Sequence, residues 1–153
     1  DGIVAAEAGT YPQIAFALIK VKQSFATLHS SLFLHGLLDV EPTTAWVCVR
    51  HKAWVPRLPE RSNIRVLRTV RWLLEEELAF APNGLPMASL VRTAVDFVRF
   101  RRHLPPRAPD RAVGLILDSG RCSMDEIVAC ATRLKVRYAT NGWPTEPETS
   151  VSR

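Results

Sequence analysis

Arg92, Asp96, Arg99 and His103 recur at intervals of four, three and four residues, which on a helix sets all four along one stripe. Two chemistries suit such a stripe. One is a ladder of surface ion pairs, each worth about a few tenths of a kcal/mol. The other is an exposed surface that holds phosphate groups or an acidic partner. The chain continues into Arg101, Arg102, Arg107 and Arg111, so this stretch carries six arginines against Asp96 and Asp110. It reads as the most electropositive part of the molecule.

Other reactive residue types lack the company their chemistry needs. His29 and His35 are six residues apart, a spacing that does not put two ligands on one helix face. Cys48 and His51 have no second pair to complete a zinc set. Ser30, Ser31, Ser89 and Cys122 sit in no Gly-x-Ser-x-Gly elbow and beside no evident base. The seven glycines are scattered, so no loop is built to cradle phosphate. A metal-dependent nuclease needs carboxylates with a nearby lysine, whereas Lys20, Lys22, Lys52 and Lys135 stand away from paired carboxylates. No cofactor, metal, small-molecule substrate or enzymatic activity is expected.

With 153 residues, 47% of them apolar and 23% charged, the chain suits one main domain with a real core. The net charge of +5 and a sequence pI near 9.6 favour anionic partners. An Arg-, Ala- and Pro-rich coding bias explains the same charge. The longest apolar run, Ile14 to Ile19, is far short of the roughly 20 residues that cross a bilayer. Cys48, Cys122 and Cys130 are odd in number and lack CxxC spacing, which suits reduced thiols in a cytoplasm. Asp1 follows no signal-peptide pattern and reads as a cut edge.

The elements that must position these residues follow from periodicity. Pro12 precedes a helix to Lys22 through Ile14, Ala15, Leu18 and Ile19. Ser24 is placed to cap a second helix through Phe25, Leu28, Leu32 and Phe33, which Gly36 weakens. Thr44 to Arg50 alternates as a strand, and Ile64 to Arg68 repeats it after a Pro-rich link. Asn83-Gly84 joins a hairpin of two further strands, Leu78 to Phe80 and Leu85 to Ala88. Glu75 to Glu77 fits a helical turn or a strand start equally. Ser89 caps the best helix, Leu90 to about His103, whose apolar face is expected to pack on the sheet. Asp110 or a neighbour starts a helix that Gly120 stops, and Ser123 with Glu126 is a capping box for a last helix. The expected fold is α+β, with a small mixed or antiparallel sheet of about four strands packed against about five helices.

Three stretches, read in order, resemble the abortive-infection (AbiEi-like) antitoxins and related regulators of type IV toxin-antitoxin pairs. The first is FATLHSSLFLHGLLDVEPTTAWVCV, with Leu32, His35, Gly36 and Leu37, then Trp46 and Val47. The second is HKAWVPRLPERSNIRVLR, with Arg57, Pro59, Ile64, Arg65 and Val66. The third is GLPMASLVRTAVDFVRFRR, with Gly84, Pro86, Ser89, Arg92, Thr93, Val95 and Asp96. Leu90 stands where the family usually has proline and Met87 where it has valine. The resemblance spans roughly residues 2 to 137 with the spacing between motifs kept.

The resemblance implies an antitoxin domain over residues 9–140 and a remnant of a winged helix-turn-helix over residues 1–8; residues 141–153, rich in Pro, Thr and Ser, read as a loose tail by composition. It further implies a cytoplasmic bacterial protein that represses its own promoter through the winged helix. The same protein would counteract a nucleotidyltransferase-like toxin, without requiring a stable complex. A stand-alone winged-helix regulator shares every one of these motifs. Arg92, Asp96, Arg99, Arg101, Arg102 and Arg107 become the DNA or partner surface, and His35, Gly36, Gly84, Pro86, Ser89 and Thr93 the family motif. For Thr93, packing within its helix explains the residue equally.

Overall fold

A computed structural model describes residues 12–136; the expected wing remnant and tail lie outside the described residues. It divides into two units, one ending at Ser89 and the other beginning at Leu90. Among the described residues there are five α-helices and one five-stranded mixed sheet, so the fold is α+β with one strand more than expected.

The first unit runs α1 (Pro12–Lys20), β1 (Phe25–Ala26), α2 (Leu28–Leu34), β2 (Ala45–Arg50), β3 (Ile64–Thr69), β4 (Leu78–Phe80) and β5 (Pro86–Ala88). The strand order is β3-β2-β1-β5-β4. β2–β3 and β1–β5 pair in parallel, β1–β2 and β4–β5 antiparallel. Alternation in β2 sends Ala45, Val47 and Val49 to one face, where they meet Ile14, Ala17, Leu18 and Val21 from α1 and its end. Burying each valine contributes about 1.5–3 kcal/mol.

Adjacent parallel strands need a connection of a dozen or more residues, and residues 51–63 supply it without a helix. Ala53, Val55 and Leu58 pack against the α1 core, so the outward positions between them, Trp54 and Arg57, face solvent. Arg68 on β3 donates from Nη1 to the carbonyls of His51 and Ala53 at 3.1 and 2.7 Å, fixing the start of this crossover.

α1 is seated by distant groups. The Ile14 N–H, one of the helix's unpaired first-turn donors, reaches Glu41 Oε2 at 3.2 Å. Gln13 Nε2 donates to the carbonyls of Thr43 and Asn63. Burial pushes the Glu41 carboxyl above its ordinary pKa, opposed by the N–H groups of Ile14 and Gln13.

The additional strand is β1, whose residues were expected to open the second helix. Ser24 is no cap; its hydroxyl donates to Val21 O at 2.6 Å. The chain is instead extended at Phe25 and Ala26, pairs with Cys48 and Val47, and turns into α2 through Thr27 (φ −143°) and Leu28 (φ 53°). A leucine in the left-handed region costs about 1–2 kcal/mol. α2 ends as expected at Gly36, whose φ of 84° lets the Gly36 and Leu37 N–H groups close back on Phe33 and Leu32.

Ser30 on α2 is fully buried, and its Oγ accepts the Trp46 N–H at 2.8 Å. Ser30→Ala strands that donor away from water, and an unmatched buried donor costs about 1–3 kcal/mol. Urea denaturation should show a loss in that range; a change below about 0.5 kcal/mol would mean the strand N–H finds another partner.

At the other end of the sheet, Asn83-Gly84 turns the β4–β5 hairpin with φ of 90° at Gly84, and Gly84 N–H donates to Ala81 O at 2.7 Å. Glu75–Glu77 is a 3-10 turn, which settles its two alternatives.

The second unit contains α3 (Leu90–Arg99), α4 (Ala108–Asp118) and α5 (Met124–Arg133). α3 packs against both of the others, with Ala94, Val95, Phe97, Val98, Ala112, Val113, Ile116, Ile127 and Ala131 buried. α3 stops at Arg99 rather than His103, because Phe100 leaves the helical region (φ −104°, ψ 24°) and Arg101–His103 form a 3-10 turn. The Ser123–Glu126 capping box forms, with Ser123 N–H on Glu126 Oε1 at 2.8 Å and Glu126 N–H on Ser123 Oγ at 3.2 Å. Gly120, at φ 74°, follows the end of α4.

Candidate nucleic-acid interface

The arginine stripe does not lie on a surface. All seven residues from Arg92 to Val98 are buried, so α3 has no solvent face along that length. Asp96 Oδ1 accepts from Arg92 Nε at 3.2 Å and from Arg99 Nη1 at 3.0 Å, with side-chain exposures of 0% for Arg92 and Asp96 and 17% for Arg99. Arg92 and Asp96, expected on a DNA or partner surface, form an interior ion pair. Its chemistry is mutual neutralisation: each charge makes burial of the other tolerable. His103 also leaves the stripe, since the helix ends before it.

The cations that reach solvent come after α3. Arg101, Arg102, His103, Arg107 and Arg111 are exposed. Arg101 Nη1 donates to Val98 O at 3.0 Å, and the Arg99 guanidinium lies 5.0 Å from the centre of the Phe100 ring. Over residues 90–136 the chain has nine Lys and Arg side chains and five carboxylates. This unit therefore presents a net positive surface, strongest in the 3-10 turn, which suits phosphate binding by position and charge.

The residues that carry the resemblance in the sequence occupy positions on which the backbone depends. His35 caps α2, and its ring Nε2 is 2.8 Å from Ala88 O, tying that helix end to β5. Gly36 and Gly84 hold positive φ, Pro86 opens β5, and the Ser89 N–H donates to Glu77 O at 2.8 Å. Thr93 is fully buried in α3, where packing accounts for it. These residues shape the scaffold; the arginines of the turn are a separate cluster.

Burial lowers the pKa of the His29 imidazole below its usual value, so it is neutral at pH 7. Burial, then the Glu126 charge, raises the Cys122 thiol, with Arg121 opposing. A thiol so placed is a poor nucleophile. All three cysteines are thiols. None of the helices among the described residues is long and apolar enough to cross a membrane.

The strongest concentration of positive charge lies elsewhere, in residues 50–71. Arg50, Lys52, Arg57, Arg61, Arg65, Arg68 and Arg71 face a single acid there, Glu60, and all seven are exposed. The stretch from Arg92 to Arg111 is thus not the most electropositive part. A sliding count of charge along the chain suffices to find the earlier segment, which strand periodicity and proline content had presented as a connection. No protein-family model matches this chain, and no curated protein does either.

Proposed function

We propose that the chain is the antitoxin part of a cytoplasmic, non-enzymatic regulator of the AbiEi-like type, counteracting a nucleotidyltransferase-like toxin and repressing its own promoter. The observation that carries this reading is the ordered set of motif residues with its spacing. What supports it physically is that Gly36, Gly84 and the His35–Ala88 tie stand where the backbone needs those residue types. Arg101, Arg102 and Arg107, exposed beyond α3, are the proposed contact to nucleic acid or toxin. Arg92 and Asp96 act behind them by holding Arg99 and the helix end in place.

A stand-alone repressor shares these features, and one experiment separates the two. Co-expression of the full-length protein with the product of the adjacent gene is expected to restore growth. Reversing Arg101, Arg102 and Arg107 to glutamate is expected to lower promoter affinity at least tenfold and to flatten its dependence on salt, because each lost phosphate contact removes about one released counterion. Absence of rescue by the unaltered protein removes the antitoxin half. An unchanged salt slope makes the turn a solvated face.

A further inference from the structure

We propose that the crossover and open edge formed by residues 50–71 bind single-stranded nucleic acid, with Trp54 as the stacking platform. The surface lies wholly in the first unit and does not depend on the antitoxin reading.

Two observations point to this ligand. The first is charge: Lys52, Arg57 and Arg61 on the crossover and Arg68 against its start stand with one carboxylate, Glu60, all exposed, a surplus of positive charge that attracts phosphates. The second is Trp54, which is 81% exposed yet held between fixed neighbours. Ala53 before it is bound through its carbonyl by Arg68 at 2.7 Å, and Val55 after it is packed into the α1 core. An indole presented on anchored backbone loses little freedom when a base stacks on it.

A simpler role covers part of the pattern. β3 is an edge strand, and charged residues on an edge discourage pairing with another chain. That role accounts for Arg65 and Arg68 but leaves Lys52, Trp54, Arg57 and Arg61 on the crossover without a reason. Base edges are not read by such a surface: a cation rail with one exposed ring takes strands by backbone and π-face, with little sequence preference.

The test is fluorescence anisotropy of the full chain with labelled oligo-dT, oligo-U and a mixed-sequence duplex of equal length, each over a salt series. Single strands are expected to bind more tightly than the duplex. Trp54→Ala should weaken single-strand binding roughly tenfold while leaving duplex binding and the thermal midpoint in place, and Trp54→Phe should retain most of the affinity. Arg57→Gln with Arg61→Gln should reduce the salt slope for single strands by about 1.4. A preference for either oligo-dT or oligo-U identifies the nucleic acid and supports the proposal. Preference for the duplex, no binding at low salt, or a Trp54→Ala protein that binds like the original overturns it. None of those results bears on rescue from the toxin, so the two readings fail separately.

Discussion

Asp96→Ala is expected to lower the free energy of unfolding by about 3–5 kcal/mol, since it breaks a buried ion pair from one side. Asp96 and Arg92 are both at 0% exposure, and Asp96 Oδ1 also receives Arg99 at 3.0 Å. Arg99, at 17% exposure, reaches solvent, whereas the Arg92 side chain is fully buried. A double replacement, Arg92→Met with Asp96→Leu, removes both charges at similar volume and is expected to recover most of the loss. Urea denaturation of the three proteins measures this. A single-variant loss below about 1 kcal/mol, or no recovery in the double variant, would show that the pair is hydrated rather than enclosed.

Phe25→Ala should be about as damaging, at roughly 3–5 kcal/mol for an aromatic truncated in a core that relaxes only in part. Phe25 is 1% exposed and meets the Trp72 ring edge-on at 5.1 Å between centres. It also belongs to the short strand that joins β2 to β5, so the cavity opens in the middle of the sheet. Near-ultraviolet circular dichroism should change with stability, because Trp72 loses an aromatic neighbour while keeping Arg50 over its ring at 4.2 Å. Phe80, 62% exposed on the edge strand β4, provides the control: Phe80→Ala is expected to stay within about 0.5 kcal/mol of the unaltered protein.

Much of the scaffold was legible because its signals are local. The Ser123–Glu126 box, the Gly36 and Gly120 helix stops, the Asn83-Gly84 hairpin turn, and the period-two alternation of β2 and β3 each depend on neighbours within a few residues. β1 was not legible, because nothing local makes Phe25 and Ala26 extended. Their conformation comes from pairing with Val47 and Cys48 on one side and, for Ala26, Met87 on the other, partners more than 20 and 60 residues away in sequence. Helical spacing of Phe25, Leu28 and Leu32 pointed the other way, and the sheet overrode it. The seating of α1 by Glu41 and Gln13 was hidden for the same reason.

The arginine stripe separates the two kinds of information. By itself the sequence determined that Arg92, Asp96 and Arg99 share one side of a helix, because a helix repeats every 3.6 residues whatever surrounds it. It determined equally that positive charge clusters in residues 50–71 and beyond residue 99. Only the tertiary structure decided which of those charges meet water, since α3 is enclosed from Arg92 to Val98 while the crossover carrying Trp54 is not. Periodicity is a property of one segment, and burial is a property of everything that packs around it.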